Sequence, residues 1–333
     1  MKEFKSLLSD LKKKVYRPVY FLMGEEAYYI DVISDYLTEN VLDEAEKEFN
    51  LSVLYGRDIN VSTIINEAKR YPMMGRYHIV VVKEAQNVKN IEELDTYIKN
   101  PLSTTILVIC HKYKSIDKRK SFGKSLNHYA VVLDTKKLYD SQVPDWINDY
   151  LGTKEYSIAP KAALLITEFL GNDLSKVANE LDKLILNIPE KAEITASHVE
   201  KFIGISKDYN NFELQKAIGT RNIFKSNQII TYFANNPKKN PLVLTISSLF
   251  AYFSNILSYH YSKDKSERGL AAALKINPFF VKEYLTAAKN YDIRKTVEVI
   301  GILRSYDLKS KGVDNTSADE GELLKELVYR VLH

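Results

Sequence analysis

Apolar positions along this chain follow two patterns, and the change comes near residue 138. Before it, short apolar runs at 18–22, 51–55 (LSVLY), 78–82 (HIVVV), 105–109 (TILVI) and 129–133 (YAVVL) read as strands. The segments between them, at 2–15, 26–40, 61–70, 91–99 and 117–127, repeat their apolar residues at helical spacing; Ala27, Ile30, Ile33 and Leu37 form one such stripe. A run as continuously β-branched as HIVVV suits a parallel strand buried on both faces. Strands alternating with helices at this interval predict a doubly wound parallel sheet. After 138 the strand signals stop. Helices are expected at 143–151, 160–170, 174–186 and 196–203, punctuated by Gly152, Gly171 and Gly204, then at 212–219, 222–235, 241–262, 267–274, 278–290, 292–305 and 319–332, with 306–318 as a polar loop. The fold class is therefore α/β plus all-α, divided as 1–138, 139–206 and 207–333.

Segment 241–262 carries no Asp, Glu, Lys or Arg and is long enough to span a bilayer. Thr245, Ser248, Tyr252, Asn255 and Tyr259 nevertheless recur on one side, with Leu242, Ile246, Leu249, Phe250, Phe253 and Leu257 on the other. That division predicts a mostly buried helix of a soluble bundle and no membrane span.

A chain of 333 residues is expected to form two or three domains, and an apolar fraction of 45% supports real cores. The net charge of +4 permits contact with nucleic acid without arguing for it. A single cysteine, Cys110, excludes an internal disulfide framework and fits a reducing cytoplasm. The amphipathic, charged N-terminus lacks an apolar signal-peptide core.

The stretch Pro18–Asp31, PVYFLMGEEAYYID, predicts a strand, a turn at Gly24 and a helix. That is the local geometry of a phosphate-binding P-loop, which needs a glycine-rich loop, a Lys and a hydroxyl for Mg²⁺. Here the loop is one glycine long, and Glu25 and Glu26 open the helix, where they suit its dipole and repel phosphate. A nucleoside triphosphatase also needs a metal-binding Asp at the end of a neighbouring strand. That position is Lys83, which cannot hold Mg²⁺. The residues leave two readings open: a nucleotide-binding architecture without its chemistry, or an α/β domain that never had it. No cofactor and no metal are expected. The six histidines show no i, i+4 pair, and the adjacent Cys110 and His111 point to opposite faces of a strand.

Other clusters carry alternatives of the same kind. Lys112, Lys114, Lys118, Arg119, Lys120 and Lys124, followed by Lys136 and Lys137, form either a phosphate-contacting patch or a solvated face. Met73 and Met74 follow Pro72, just before the third strand. Exposed, the adaptable pair would plug another protein's apolar pocket; buried, it would pack a helix end onto the sheet.

In order, PVYFLMGEEAYYIDVI, YPMMGRYHIVVVKEAQN, IDKRK, LSKVANELDKLIL, FELQKAIGTRN and YDLKSKG resemble the delta subunit of bacterial DNA polymerase III, through nearly the whole chain. The resemblance implies an AAA+-like fold: a RecA-like domain without a functional P-loop, a small helical lid and a helical collar. It places Met73 and Met74 where the family has an apolar pair, commonly Leu-Phe-like, that enters the hydrophobic pocket of the sliding clamp (beta), with Ile64, Ile65 and Ala68 on the same helix. Gly24, Glu25, Glu26 and Lys83 become a degenerate nucleotide site. Asn179, Glu180 and Lys183 match a lid helix motif, and Phe212, Glu213 and Ala217 open a collar helix that assembles with the gamma/tau and delta prime subunits. Lys118, Arg119, Lys120 and Lys124 would face primer–template DNA. The implied role is a cytoplasmic, non-catalytic subunit of a nucleotidyltransferase holoenzyme, which opens the clamp during replication while its neighbours hydrolyse ATP. The alternatives are a degenerate AAA+ ATPase and a stand-alone DNA-binding regulator.

Overall fold

The computed structural model describes residues 2–73, 75–314 and 317–333, which form two compact units, one ending at Leu138 and the other beginning at Tyr139. In the first, the elements run α1 (Lys2–Lys12), β1 (Val19–Gly24), α2 (Ala27–Asn40), α3 (Glu44–Asn50), β2 (Leu51–Tyr55), α4 (Val61–Ala68), β3 (His78–Lys83), α5 (Asp95–Ile98), β4 (Thr105–Lys112), α6 (Ser121–Tyr129) and β5 (Val131–Thr135). The sheet is parallel throughout, in the order β2-β3-β4-β1-β5. This is the RecA-like, AAA+-type arrangement, with β1 between β4 and β5.

Every residue of β1 is buried, as are all but the last of β3 and β4, which explains their unbroken apolar runs. On one face Val19, Phe21, Met23, Val80, Val82, Leu107 and Ile109 pack with Val61, Ile64 and Ala68 of α4 and with Phe122 and Leu126 of α6. The other face is covered by α2, whose Ile30, Ile33 and Leu37 are fully buried. The strands outrun their apolar stretches because pairing continues: Gly24 lies opposite both Lys112 and Thr135, and Tyr55 opposite Lys83.

Helix α3 is absent from the hydrophobic pattern, since EAEKEFN is mostly polar. Its start is fixed by a capping box, with the Asp43 side chain accepting from Glu46 N–H and the Glu46 side chain accepting from Asp43 N–H. The 117–127 helix starts late, at Ser121, and 91–99 is a 3₁₀ turn leading into α5.

The second unit holds α7 (Val143–Gly152), β6 (Ser157–Ile158), α8 (Pro160–Leu170), α9 (Leu174–Ile185), β7 (Glu193–Ile194) and α10 (Ala196–Ile203). There follow α11 (Asn211–Gly219), α12 (Ile223–Asn235), α13 (Leu242–Tyr261), α14 (Glu267–Leu274), α15 (Val281–Asn290), α16 (Ile293–Ser310) and α17 (Glu320–Leu332). The parallel β6–β7 bridge is too short to register in an apolar pattern. Helix α16 runs past Tyr306, which is buried, so the expected loop begins later. It stops at Gly312, whose φ of +87° and whose N–H bond to Lys309 O, with Val313 N–H on Leu308 O, form a Schellman motif.

One core joins α11, α12, α13, α15, α16 and α17. Helix α13 is long and apolar enough to cross a membrane, but one face lies in this core. Its division differs from the expected one. Thr245 and Tyr252 are buried, Phe250 is 47% exposed, and Val243 and Leu244 also face outward. The helix is thus half-buried, with apolar side chains on both faces.

Candidate functional site

In open α/β sheets ligands bind at the carboxyl ends of the strands. Here that edge is occupied by the protein itself. Gly24 N–H donates to Lys114 O at 3.2 Å and Glu25 N–H to Thr135 O at 2.8 Å, so the turn's amides, which would cradle phosphates, are already used. Thr135 Oγ1 reaches Glu26 O at 3.0 Å and Met23 O at 3.2 Å. Gly24 has φ +120°, and a Cβ there would sit 2.1 Å from Thr135 O. At the start of α2 the Glu26 carboxylate, buried, accepts from Tyr28 N–H and stands where a phosphate would need to be. At the neighbouring strand ends Lys112 Nζ lies 2.6 Å from Asp31 and Lys83 Nζ 3.9 Å from Asp35, both acids on α2. Burial alone would lower the Lys112 ammonium, but the hydrogen bond to Asp31 and the Asp31 charge together hold the pKa above the ordinary value. Cys110 is buried, and burial pushes its thiol up to about 11, which suits packing and not nucleophilic chemistry. No group of three or more metal-ligating side chains occurs among the described residues.

The loop that holds Met73 is built differently from the expected helix tip. Helix α4 ends at Ala68, and its last carbonyl accepts from the hydroxyls of Tyr97 at 3.0 Å and Thr105 at 2.9 Å. Met73 stands in the following loop and is 53% exposed, beside Tyr71 at 74%. Met74 lies outside the described residues. The loop is fixed from below by Asn50 at the end of α3. Its Oδ1 accepts from Met73 N–H at 2.6 Å, and its Nδ2 donates to Met73 O at 2.7 Å. Gly75 passes so close that a Cβ there would lie 2.6 Å from Glu46 Oε1. Ile64 and Ala68 are fully buried in the α/β core, and Ile65 packs against it. Burial corrects their expected role: Ile64 and Ala68 cannot touch a partner and can only support the helix beneath the loop. Asn50 was invisible in the sequence, since a helix-terminal Asn usually faces solvent.

At the base of the same loop Glu67 accepts from Ser52 Oγ at 2.6 Å and from Arg70 at 2.5 Å, with His78 Nε2 at 3.5 Å. Burial would raise the Glu67 carboxyl, but these donors hold it below the ordinary value. His78 is fully buried, and burial pushes its imidazole down despite Glu67.

The basic cluster is partly neutralised. Lys118 pairs with Asp134 at 2.8 Å, Arg119 with Asp117 at 2.9 Å, and Lys112 with Asp31 as above. Lys120, Lys124, Lys136 and Lys137 are exposed. In the second unit Ala217 is buried in the bundle core, and Glu213 pairs with Lys161 of α8 at 2.6 Å. Phe212 lines a cavity of about 700 Å³ together with Pro144, Leu164 and Ile276. Ala217 and Glu213 thus make contacts within the unit. Glu180 and Lys183 form an i, i+3 pair on α9.

Residues 20–136 match the family model described as DNA polymerase III, delta subunit. The chain is 28% identical to the DNA polymerase III subunit delta of Bacillus subtilis (strain 168), over 96% of this chain and 93% of that one. Among solved structures it is similar to the Bacillus subtilis DNA clamp loader delta protein, with a TM-score of 0.55 and 25% identity, covering 99% of each chain. In its sheet order and in these likenesses along the chain, the protein resembles the delta subunits of bacterial DNA polymerase III.

Proposed function

We propose that this chain is the clamp-loader subunit that grips the sliding clamp through the loop at Met73 and Met74 and favours the clamp's open form, leaving ATP hydrolysis to other subunits. The observation that carries the reading is a half-exposed Met73 on a loop whose backbone is held at both polar atoms by a buried Asn50. An apolar side chain presented on a fixed backbone suits insertion into a pocket, because little ordering remains to be done on binding. Opening requires only that the loop bind the open clamp more tightly than the closed one. The used amides of Gly24 and Glu25 and the cap at Glu26 support a nucleotide-free role.

In this proposal residues 139–206 form a lid and 207–333 a collar that assembles with gamma/tau and delta prime subunits, in the cytoplasm. The outward apolar side chains Val243, Leu244 and Phe250 of α13 are available for that contact. Lys120 and Lys124 are the cluster's exposed candidates for primer–template DNA. Binding of the chain to primed DNA should weaken with salt, and Lys120→Glu with Lys124→Glu should flatten that dependence; an unchanged slope would remove DNA from the account.

Substituting Met73→Asp and Met74→Asp should leave the far-UV spectrum intact and abolish retention of the clamp on the immobilised chain. Unchanged retention would mean that the clamp is held elsewhere.

A further inference from the structure

We infer that Asn50 is a positioning residue for the clamp contact, acting as a latch that holds the Met73 loop in its binding-ready shape; this rests on the clamp reading above. Asn50 is fully buried at the junction of α3 and β2. Its carboxamide is spent on one distant residue: the acceptor takes Met73 N–H at 2.6 Å and the donor reaches Met73 O at 2.7 Å, a separation of 23 positions in sequence. A carboxamide used this way imitates the pairing of a peptide group in a sheet, and fixes position and direction together. Other side chains do not replace it. Aspartate lacks the donor and sets a charge against Met73 O. Alanine leaves both backbone groups of Met73 without these partners. Gly75 follows closely: a Cβ there would lie 2.6 Å from Glu46 Oε1 and 3.1 Å from Asn50 Nδ2, so a side chain at this position would push on the latch itself.

The latch acts before binding. With it, the loop meets the clamp in one conformation; without it, binding must first order the loop. Asn50→Ala should therefore weaken clamp binding about tenfold, the effect expected for two lost hydrogen bonds of ordinary strength. Amide exchange at Met73 should accelerate, while exchange in β3 and β4 stays as it was.

The test is the dissociation constant for purified sliding clamp of the full chain, of Asn50→Ala, and of Met73→Ala/Met74→Ala with and without Asn50→Ala. The inference predicts the tenfold loss in the first background and less than a twofold further loss in the second, because a latch acts only through what it positions. Wild-type affinity for Asn50→Ala, or its full effect in the absence of both methionines, would overturn it. Should Asn50→Ala not fold, Asn50→Asp carries the test, with a loss of several-fold expected and none contradicting the latch. If Met73→Ala/Met74→Ala alone left the affinity unchanged, the clamp contact itself would be refuted, whatever Asn50 does.

Discussion

His78 and Glu67 show how single residues tie the Met73 loop to the stability of the sheet. The folded unit keeps His78 neutral, its pKa pushed below the ordinary 6.5 chiefly by burial. Below that value the unfolded chain takes up a proton that the folded chain refuses, so stability falls as pH drops through about 6.5 and levels off below the folded pKa. Buried His111, likewise lowered by burial, adds in the same direction. Urea midpoints between pH 7.5 and 5.5 should fall for the wild type and fall less for His78→Gln; parallel curves would show that His78 contributes nothing. Glu67, also lowered, adds its own loss only at more acid pH, as its carboxylate protonates. At this scale the sequence was legible where chemistry is local. Glu26 beside a lone Gly24 argued against phosphate; in the structure the Glu26 carboxylate caps α2, and the amides of Gly24 and Glu25 bond Lys114 and Thr135. Asn50 was illegible because its partner is remote in sequence.

Among the elements, periodicity located those buried on one or both faces and missed those that rest on polar devices. Strands β1, β3 and β4 were read from their apolar runs, and their polar ends, Lys83 and Lys112, appear only once neighbouring strands extend the ladder. Helix α3 escaped because its polar sequence is started by a cap, and the cap is what sets Asn50 under the loop. Helix α13 shows the reverse error. A polar side and an apolar side were expected on a mostly buried helix, but Leu244 and Phe250 face out at 57% and 47% exposure. In the proposed assembly these side chains would supply a contact surface. Leu244→Asp with Phe250→Asp should leave clamp binding by the isolated chain unchanged and reduce its co-elution with the gamma/tau and delta prime subunits; full co-elution would place the collar contact on another face.

For the whole molecule, the change of pattern near 138 marked the border between the two compact units. The order of several loose motifs carried the resemblance where no single motif did. What remained out of reach was which members of a motif face outward, since that depends on packing between distant segments: Ala68 and Ala217 sit in cores, while Met73 is presented. The molecule that results has a parallel sheet whose carboxyl-end turn at Gly24 is bonded to the chain's own Lys114 and Thr135, and it presents Met73 in the loop that leads into the amino end of β3. The proposed role is clamp binding without nucleotide. The direct measurement is an equilibrium titration of the isolated chain with sliding clamp, with and without ATP and Mg²⁺, for wild type and for Met73→Asp/Met74→Asp. The account predicts one dissociation constant in both conditions for the wild type, and no binding by the variant. A constant that shifts with ATP, or a variant that still binds, would contradict it.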